Sequence, residues 1–212
     1  MEWSIPDQDV DLRQGDILVN RPLPGKFPSR MLVVVTADCD IAQNKFGTHL
    51  ACLRVVWYSD YVRDVWSASE FEKAREKLAK QLGEQMRSAH KTAAGNESGI
   101  SDARAIEWLE EEFPEVIADA LSVLSDKRKK FITNLSKSHS ALRAAAGADS
   151  AFQKLAALRA GVDGVSVEDA AAKLAEKAQT ATLPDDVFML PSLPGFDDKP
   201  VVVLLRQIVA FP

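Results

Sequence analysis

The chain has 212 residues, of which 46% are hydrophobic and 27% charged, a composition typical of a globular protein of one or two domains and not of a disordered or fibrous chain. Its 26 basic and 31 acidic residues give a formal net charge of −5, so contact with nucleic acid would need a local basic patch. Two cysteines are too few for a disulfide scaffold, the apolar runs are too short for a membrane span, and the first residues lack a secretory leader, so we expect a cytoplasmic protein that does not contact a membrane.

Short runs rich in β-branched residues fill the first quarter of the sequence. They are Asp16–Val19, Met31–Thr36 and His49–Trp57. Proline and glycine lie between them, in Pro22–Gly25 and in Asn44–Gly47, where they suit turns. This part of the sequence therefore predicts three strands.

The middle of the sequence, residues 67–181, has apolar residues at steps of three and four, which is the spacing of one helix face. Ser67 and Glu70 have the spacing of a capping box, so we expect a helix to begin there. A second helix should follow Ser101, and a third should run unbroken over Pro114–Ala146. Two shorter helices complete the region, the later of them after Ser166, so a helical bundle or hairpin is expected.

Strand-like sequence returns near the C-terminal end. The runs Val187–Leu190 and Val201–Phe211 predict two further strands separated by a turn. Isolated hairpins are marginal in water, so the leading and closing strands should form one structure. We therefore expect an α+β protein, with a small SH3-like β-barrel from residues 12–59 and 184–212 and a helical domain, residues 60–183, inserted in one loop.

Two segments carry a resemblance to a known family. Gln14–Ile17, followed by Arg30 before the buried run Met31–Thr36, resembles the start of PemK/MazF-like proteins, and Val201–Phe211 resembles their closing segment. A closer resemblance, to bacterial proteins of unassigned function, lies in the pairing of Gln14–Ile17 with Thr36–Ile41. The PemK/MazF resemblance implies an SH3-like barrel that cleaves RNA and binds an antitoxin, in a toxin–antitoxin or phage-defence setting.

The resemblance also implies a catalytic site. Arg30, with Thr36 or Asp38 and with Arg54 nearby, would hold a phosphate in an arginine fork while a carboxylate takes a 2′-hydroxyl proton. The alternative is that Arg30 marks a strand end and Arg54 an outward strand position. Unlike the toxins, the third predicted strand, His49–Trp57, contains no hydroxyl side chain.

Asp38, Cys39 and Asp40 follow the second predicted strand, where a rigid sheet commonly supports functional loops. Cys39 is a candidate nucleophile of a hydrolase, and the two carboxylates are candidate ligands of a divalent cation. The neighbouring negative charges disfavour a thiolate, and the structural alternative is that both carboxylates accept hydrogen bonds from turn amides. Cys39, His49 and Cys52 lack the spacing of zinc ligands, so no metal or cofactor is expected.

The long predicted helix carries a run of four cations: Lys127, Arg128, Lys129 and Lys130. With Arg54, these residues are candidates for contact with nucleic-acid phosphates. Because the acidic run Glu110–Glu112 is near in sequence, the alternative is that both runs are solvated or pair with each other.

The motifs of the commoner enzyme classes are missing, among them a glycine-rich phosphate loop, HExxH and GxSxG. The preferred hypothesis is a bacterial binding or regulatory module of a toxin–antitoxin or phage-defence system. Its helical insert would bind a protein partner, with nucleic acid as a second candidate ligand. The alternatives are an endoribonuclease of the PemK/MazF kind and a hydrolase centred on Cys39.

Overall fold

The computed structural model describes residues 11–19, 31–95, 99–193 and 199–211. These residues form two compact units. One consists of the described parts of Met1–Tyr61 and Ala181–Pro212 and holds the strands, whereas the other, Val62–Thr180, is helical. Each unit is described by itself below.

The first unit is built on one antiparallel sheet. Its strands are β1 (Ile17–Val19), β2 (Met31–Val34), β3 (Leu50–Trp57), β4 (Val187–Leu190) and β5 (Val201–Phe211). They lie in the order β1-β2-β3-β5-β4, so β3 pairs directly with β5 although the helical unit separates them along the chain. The α+β class is confirmed, and the N-terminal and C-terminal strands share a sheet.

The sheet is open across the part of the chain that the structure describes. Strands β1 and β4 lie at its two edges and do not pair with each other. They contain three and four residues, so neither offers a long row of backbone groups for closing the sheet. The predicted closed barrel is therefore not confirmed.

A bulge interrupts the pairing of β3 with β5. Leu53 is aligned with Ile208, whereas the next residue of β3, Arg54, is aligned with Leu204. Residues 205–207 consequently have no partner on β3, and such extra residues bend and twist a strand. Beyond the bulge, β5 continues beside the first half of β3 as far as Phe211.

Hydrophobic clusters lie on the two faces of the sheet. One centres on Met31, Val55 and Val203, and the other on Val34, Leu50 and Cys52. Because successive strand residues point to opposite faces, the neighbours Cys52 and Leu53 contribute to different clusters.

Helices follow β2 and β3 and then fill the second unit. They are α1 (Asp38–Ala42), α2 (Tyr58–Asp60), a π-helical segment (Tyr61–Trp66), α3 (Ser67–Ala94), α4 (Asp102–Glu111), α5 (Pro114–Ala120), α6 (Ser125–Ala146), α7 (Ala151–Asp163) and α8 (Val167–Thr180). None of the described helices is long and apolar enough to cross a bilayer.

Helix α3 begins at Ser67 as predicted, but the capping box predicted there is wrong. Trp66 already has helical backbone angles, so α3 continues the π-helical segment without a cap. The Ser67 hydroxyl is buried and donates to the carbonyl of Val62 at 2.5 Å, so it does not accept from Glu70. The other two serine starts are confirmed, because Ser101 accepts from the amide of Arg104 and Ser166 from that of Asp169.

The predicted long helix is also wrong, since it is divided into α5 and α6. Ser122 has a φ of 52°, a left-handed conformation that ends α5, and the Val123 amide donates back to Ala118. Pro114 opens α5 as expected. The break leaves Val123 buried and Leu124 45% exposed beside the start of α6.

The helical unit has one hydrophobic core. Its most deeply buried large side chains include Leu82, Met86, Leu109, Leu135 and Leu155. Helices α6 and α7 approach closely where Gly161 faces Ala141: a Cβ added at Gly161 would lie 2.5 Å from the Cβ of Ala141. Glycine is therefore required there by close packing.

Candidate functional site

A tight turn carries the Gln14–Ile17 motif onto the end of β2. Gly15 has a φ of 93°, a conformation that glycine adopts readily. The Asp16 carboxylate accepts from the Arg13 amide at 2.7 Å, and the Gly15 amide donates to the Val34 carbonyl at 2.8 Å. The motif therefore forms a turn that is fixed to the sheet.

Thr36, a predicted catalytic residue, is fixed to β3. Its side chain is buried, and its hydroxyl accepts from the Ala51 amide at 2.7 Å and lies as a donor 3.4 Å from the Ala51 carbonyl. Both hydrogen-bonding capacities of the hydroxyl are used within the sheet. This arrangement holds the end of β2 against β3.

Asp38 links the two motifs of the resemblance. It opens α1, and its Oδ1 accepts from the backbone N–H of Gln14 at 2.5 Å. Beside this contact is an open cavity of about 570 Å³, lined by Asp11, Leu12, Arg13, Asp38, Ile41 and Ala42. The lining carries two carboxylates and one guanidinium, so the cavity is polar and mixed in charge.

The two cysteines have opposite environments. Cys39 is exposed, and within the described part of the chain its thiol has one hydrogen-bond partner, Oδ1 of Asp40 at 3.8 Å. Cys52 is fully buried, and burial raises the pKa of its thiol. A nucleophilic cysteine normally has a base such as histidine beside it, and here the neighbour is a carboxylate.

Of the other predicted site residues on the sheet unit, the structure describes Arg54 and Asp40, and these two have different contacts. Arg30 lies outside the described residues. Arg54 is exposed on β3, where its Nη1 donates to Oε1 of Gln207 at 3.4 Å across the bulge. Asp40 lies within α1, and its carbonyl accepts from the Lys45 amide at 2.8 Å. Groups of three or more histidine, cysteine or acidic side chains suited to a metal do not occur among the described residues.

The run of four cations opens α6 and does not form one patch. Consecutive helix residues differ by about 100° in direction, so Lys127, Arg128, Lys129 and Lys130 spread around the axis. Arg128 pairs with Asp119 of α5 at 2.7 Å.

Two residues of the acidic run, Glu110 and Glu111, form ion pairs with arginines that lie outside the basic run. Glu110 pairs with Arg75 of α3 at 2.8 Å. Glu111 pairs with Arg104, on its own helix, at 3.1 Å.

Lys127 and Lys130 line a groove between α3 and α6. The groove has a volume of about 800 Å³. Apolar side chains of Val123, Leu124 and Phe131 line it, and charged groups include Glu84 and Asp126 as well as the two lysines. The sequence did not indicate this groove, because it predicted an unbroken helix through Ser122, where the chain turns and places Val123 and Leu124 beside α3.

Comparison of the chain with protein-family models, with curated proteins and with solved structures finds no match.

Proposed function

We propose that this chain is a bacterial binding module that holds a protein partner on its helical unit, within a cytoplasmic system of the toxin–antitoxin or phage-defence type. The observation that carries the proposal is the groove between α3 and α6. Its apolar side chains suit an amphipathic helix, and its charged groups would set the orientation of that helix.

The charges of the groove favour protein over nucleic acid. Binding to a phosphate backbone depends on a cluster of cations with few competing anions. In the groove, Lys127 and Lys130 are accompanied by Glu84 and Asp126. Arg128 is already paired with Asp119, so the cations of the run do not act together.

The proposal includes the resemblance to PemK/MazF-like proteins and an SH3-like barrel derived from it. Two features support this part: the antiparallel order β1-β2-β3 and the return of β5 to the side of β3. The proposal leaves out catalysis by Thr36 or Asp38, because the hydroxyl is bound to Ala51 and the carboxylate to Gln14. It also leaves out a hydrolase centred on Cys39, whose thiol has a carboxylate neighbour.

The test uses the protein encoded beside this chain in its genome as the candidate partner. Its affinity is measured by calorimetry for the natural chain, for the double variant Lys127→Glu, Lys130→Glu, and for Lys129→Glu. Lys129 is the matched control, because it is an exposed cation of the same run that does not line the groove. We expect a loss of affinity of about tenfold or more for the double variant and little change for the control.

Two results would contradict the proposal. One is an equal loss for the double variant and the control. The other is cleavage of single-stranded RNA by the purified chain that disappears in Arg30→Ala, which would establish the endoribonuclease instead.

A further inference from the structure

Exposed apolar side chains are concentrated on the two neighbouring strands β4 and β5. Ile208 is 71% exposed and Phe188 57%, and Met189, Leu205 and Phe211 are also exposed. Single exposed apolar residues are ordinary on a protein surface, whereas a group on adjacent strands marks an interaction site.

After the bulge, one edge of β5 has no partner strand among the residues that the structure describes. Strand β4 pairs with Val201–Leu204, and the last contact on that side is the Leu205 amide to the Asp186 carbonyl, 2.9 Å. Over Ile208–Phe211 the strand has β3 on one side, and no strand of the described chain lies on the other. This edge presents N–H and C=O groups that a further strand can satisfy.

The usual protection of an open edge is missing over Ile208–Phe211. Soluble proteins place lysine or another charge on such strands to prevent edge-to-edge pairing. These four residues are uncharged, and the nearest charge before them, Arg206, lies in the bulge and pairs with Asp186 at 3.1 Å. The segment can therefore approach an identical segment without charge repulsion, although each whole chain carries −5.

We propose that Ile208–Phe211 pairs with the same segment of a second copy of this chain, antiparallel about a two-fold axis, so that two sheets become one. An antiparallel edge fits its own copy, because both strands present the same alternating donors and acceptors. The pairing also covers the side chain of Ile208, the most exposed large apolar residue of the described chain. This inference is independent of the proposed partner on the helical unit.

The oligomeric state of the full chain tests the proposal. Light scattering during size-exclusion chromatography should give a mass of about twice the 23.2 kDa of one chain. Ile208→Lys should halve this mass, whereas Val116→Lys should not change it, because Val116 is an exposed valine on α5, outside the sheet unit. Phe211→Lys, an exposed residue of the same segment, serves in the same way if circular dichroism shows that Ile208→Lys does not fold.

A cross-link tests the register. A two-fold axis through an antiparallel pair places the central residue opposite its own copy, and the register we infer is the one centred on Ala210. Ala210→Cys, made in a Cys39→Ser background so that Cys39 does not interfere, should therefore form a disulfide-linked dimer on air oxidation. A monomeric natural chain, a dimer that Ile208→Lys leaves intact, or a dimer without the Ala210→Cys cross-link would each overturn the proposal.

Discussion

The backbone N–H of Gln14 donates a hydrogen bond of 2.5 Å to the carboxylate of Asp38. This contact joins a turn before β1 to the first residue of α1, two segments that are far apart in sequence. The Asp38 carboxylate is an acceptor for a turn amide, which is the structural alternative considered for the acidic motif. A stabilising role is therefore the expected outcome when Asp38 is changed.

Asp38→Ala should lower the free energy of unfolding by about 1 kcal/mol, because the Gln14 amide loses a charged acceptor at a partly solvated site. Asp38→Asn should cost less, since the amide oxygen still accepts. Urea denaturation measures both. Asp40→Ala is the control, and a larger loss for Asp40→Ala than for Asp38→Ala would contradict the role assigned here.

Thr36→Val should lower the free energy of unfolding by about 1–3 kcal/mol, because the Ala51 amide, in a part-buried contact, loses the hydroxyl that accepts its hydrogen bond at 2.7 Å. Thr36→Ser keeps the hydroxyl and should change stability much less. Thermal and urea denaturation of the two variants separate the hydroxyl from the shape of the side chain. Equal losses in both variants would show that the methyl group matters and the hydrogen bonds do not.

Gly161→Ala should lower the free energy of unfolding by about 1–3 kcal/mol, because the new Cβ meets the Cβ and Cα of Ala141 at 2.5 and 2.8 Å. Gly147→Ala is the matched control. Its new Cβ would have no neighbour closer than 3.8 Å, and its φ of −82° suits alanine, so the change should be neutral or slightly stabilising. Adding Ala141→Gly to Gly161→Ala should restore part of the loss.

Glu70 should make the helical unit sensitive to acid. Its hydrogen bond from Lys177, supported by one from Lys73, holds the pKa of Glu70 below its ordinary value of 4.5, and partial burial opposes this only in part. Because the pKa of Glu70 is lower in the folded chain than in the unfolded chain, its ionised form stabilises the fold at pH values above the pKa of the unfolded chain. This stabilisation is lost as the pH falls through the pKa of the folded chain.

Glu70→Gln should therefore be less stable than the natural chain near neutral pH, and the difference should shrink as pH falls from about 7 to about 2. Denaturation by urea at several pH values measures this. Glu76→Gln, an exposed change on the same helix, is the control. A difference that does not depend on pH would show that the Lys177 contact does not act through the charge of Glu70.

The two thiols should differ in reactivity. Iodoacetamide should modify Cys39 in the folded chain and leave Cys52 unmodified, because Cys52 is fully buried and its raised pKa disfavours the thiolate. Mass spectrometry should find one adduct in buffer and two in denaturant. Modification of Cys52 in the folded chain would show that the first half of β3 opens.

The sequence patterns predicted the elements that local chemistry determines. Short runs rich in β-branched and other apolar residues located β3 and β5, and the hydroxyls of Ser101 and Ser166 located two helix starts. The break at Ser122 was missed, because a helical face of apolar residues continues on both sides of it. Ser67 was wrongly predicted to cap α3, because a serine followed three residues later by glutamate has the spacing of a capping box even where the preceding residue is already helical.

The site was harder to predict, because it depends on contacts between distant segments. Nothing local to Asp38 indicates that its acceptor capacity is used by Gln14, and nothing local to Thr36 indicates that Ala51 binds its hydroxyl. The groove between α3 and α6 depends on how a broken helix packs. These features arise from tertiary contacts, which leave no periodic pattern in the sequence from which they could be predicted.

The contact of Lys177 with Glu70 at 2.5 Å also bears on the order of folding. Together with the Lys177 ammonium over the Trp66 ring, it joins the last turn of α8 to the first turn of α3. The entropy lost in pairing β3 with β5 grows with the length of free chain between them. A bundle that folds first through local contacts and holds its own two ends together shortens that free chain to residues 58–61 and 181–200, so the helices should form before the central strands meet.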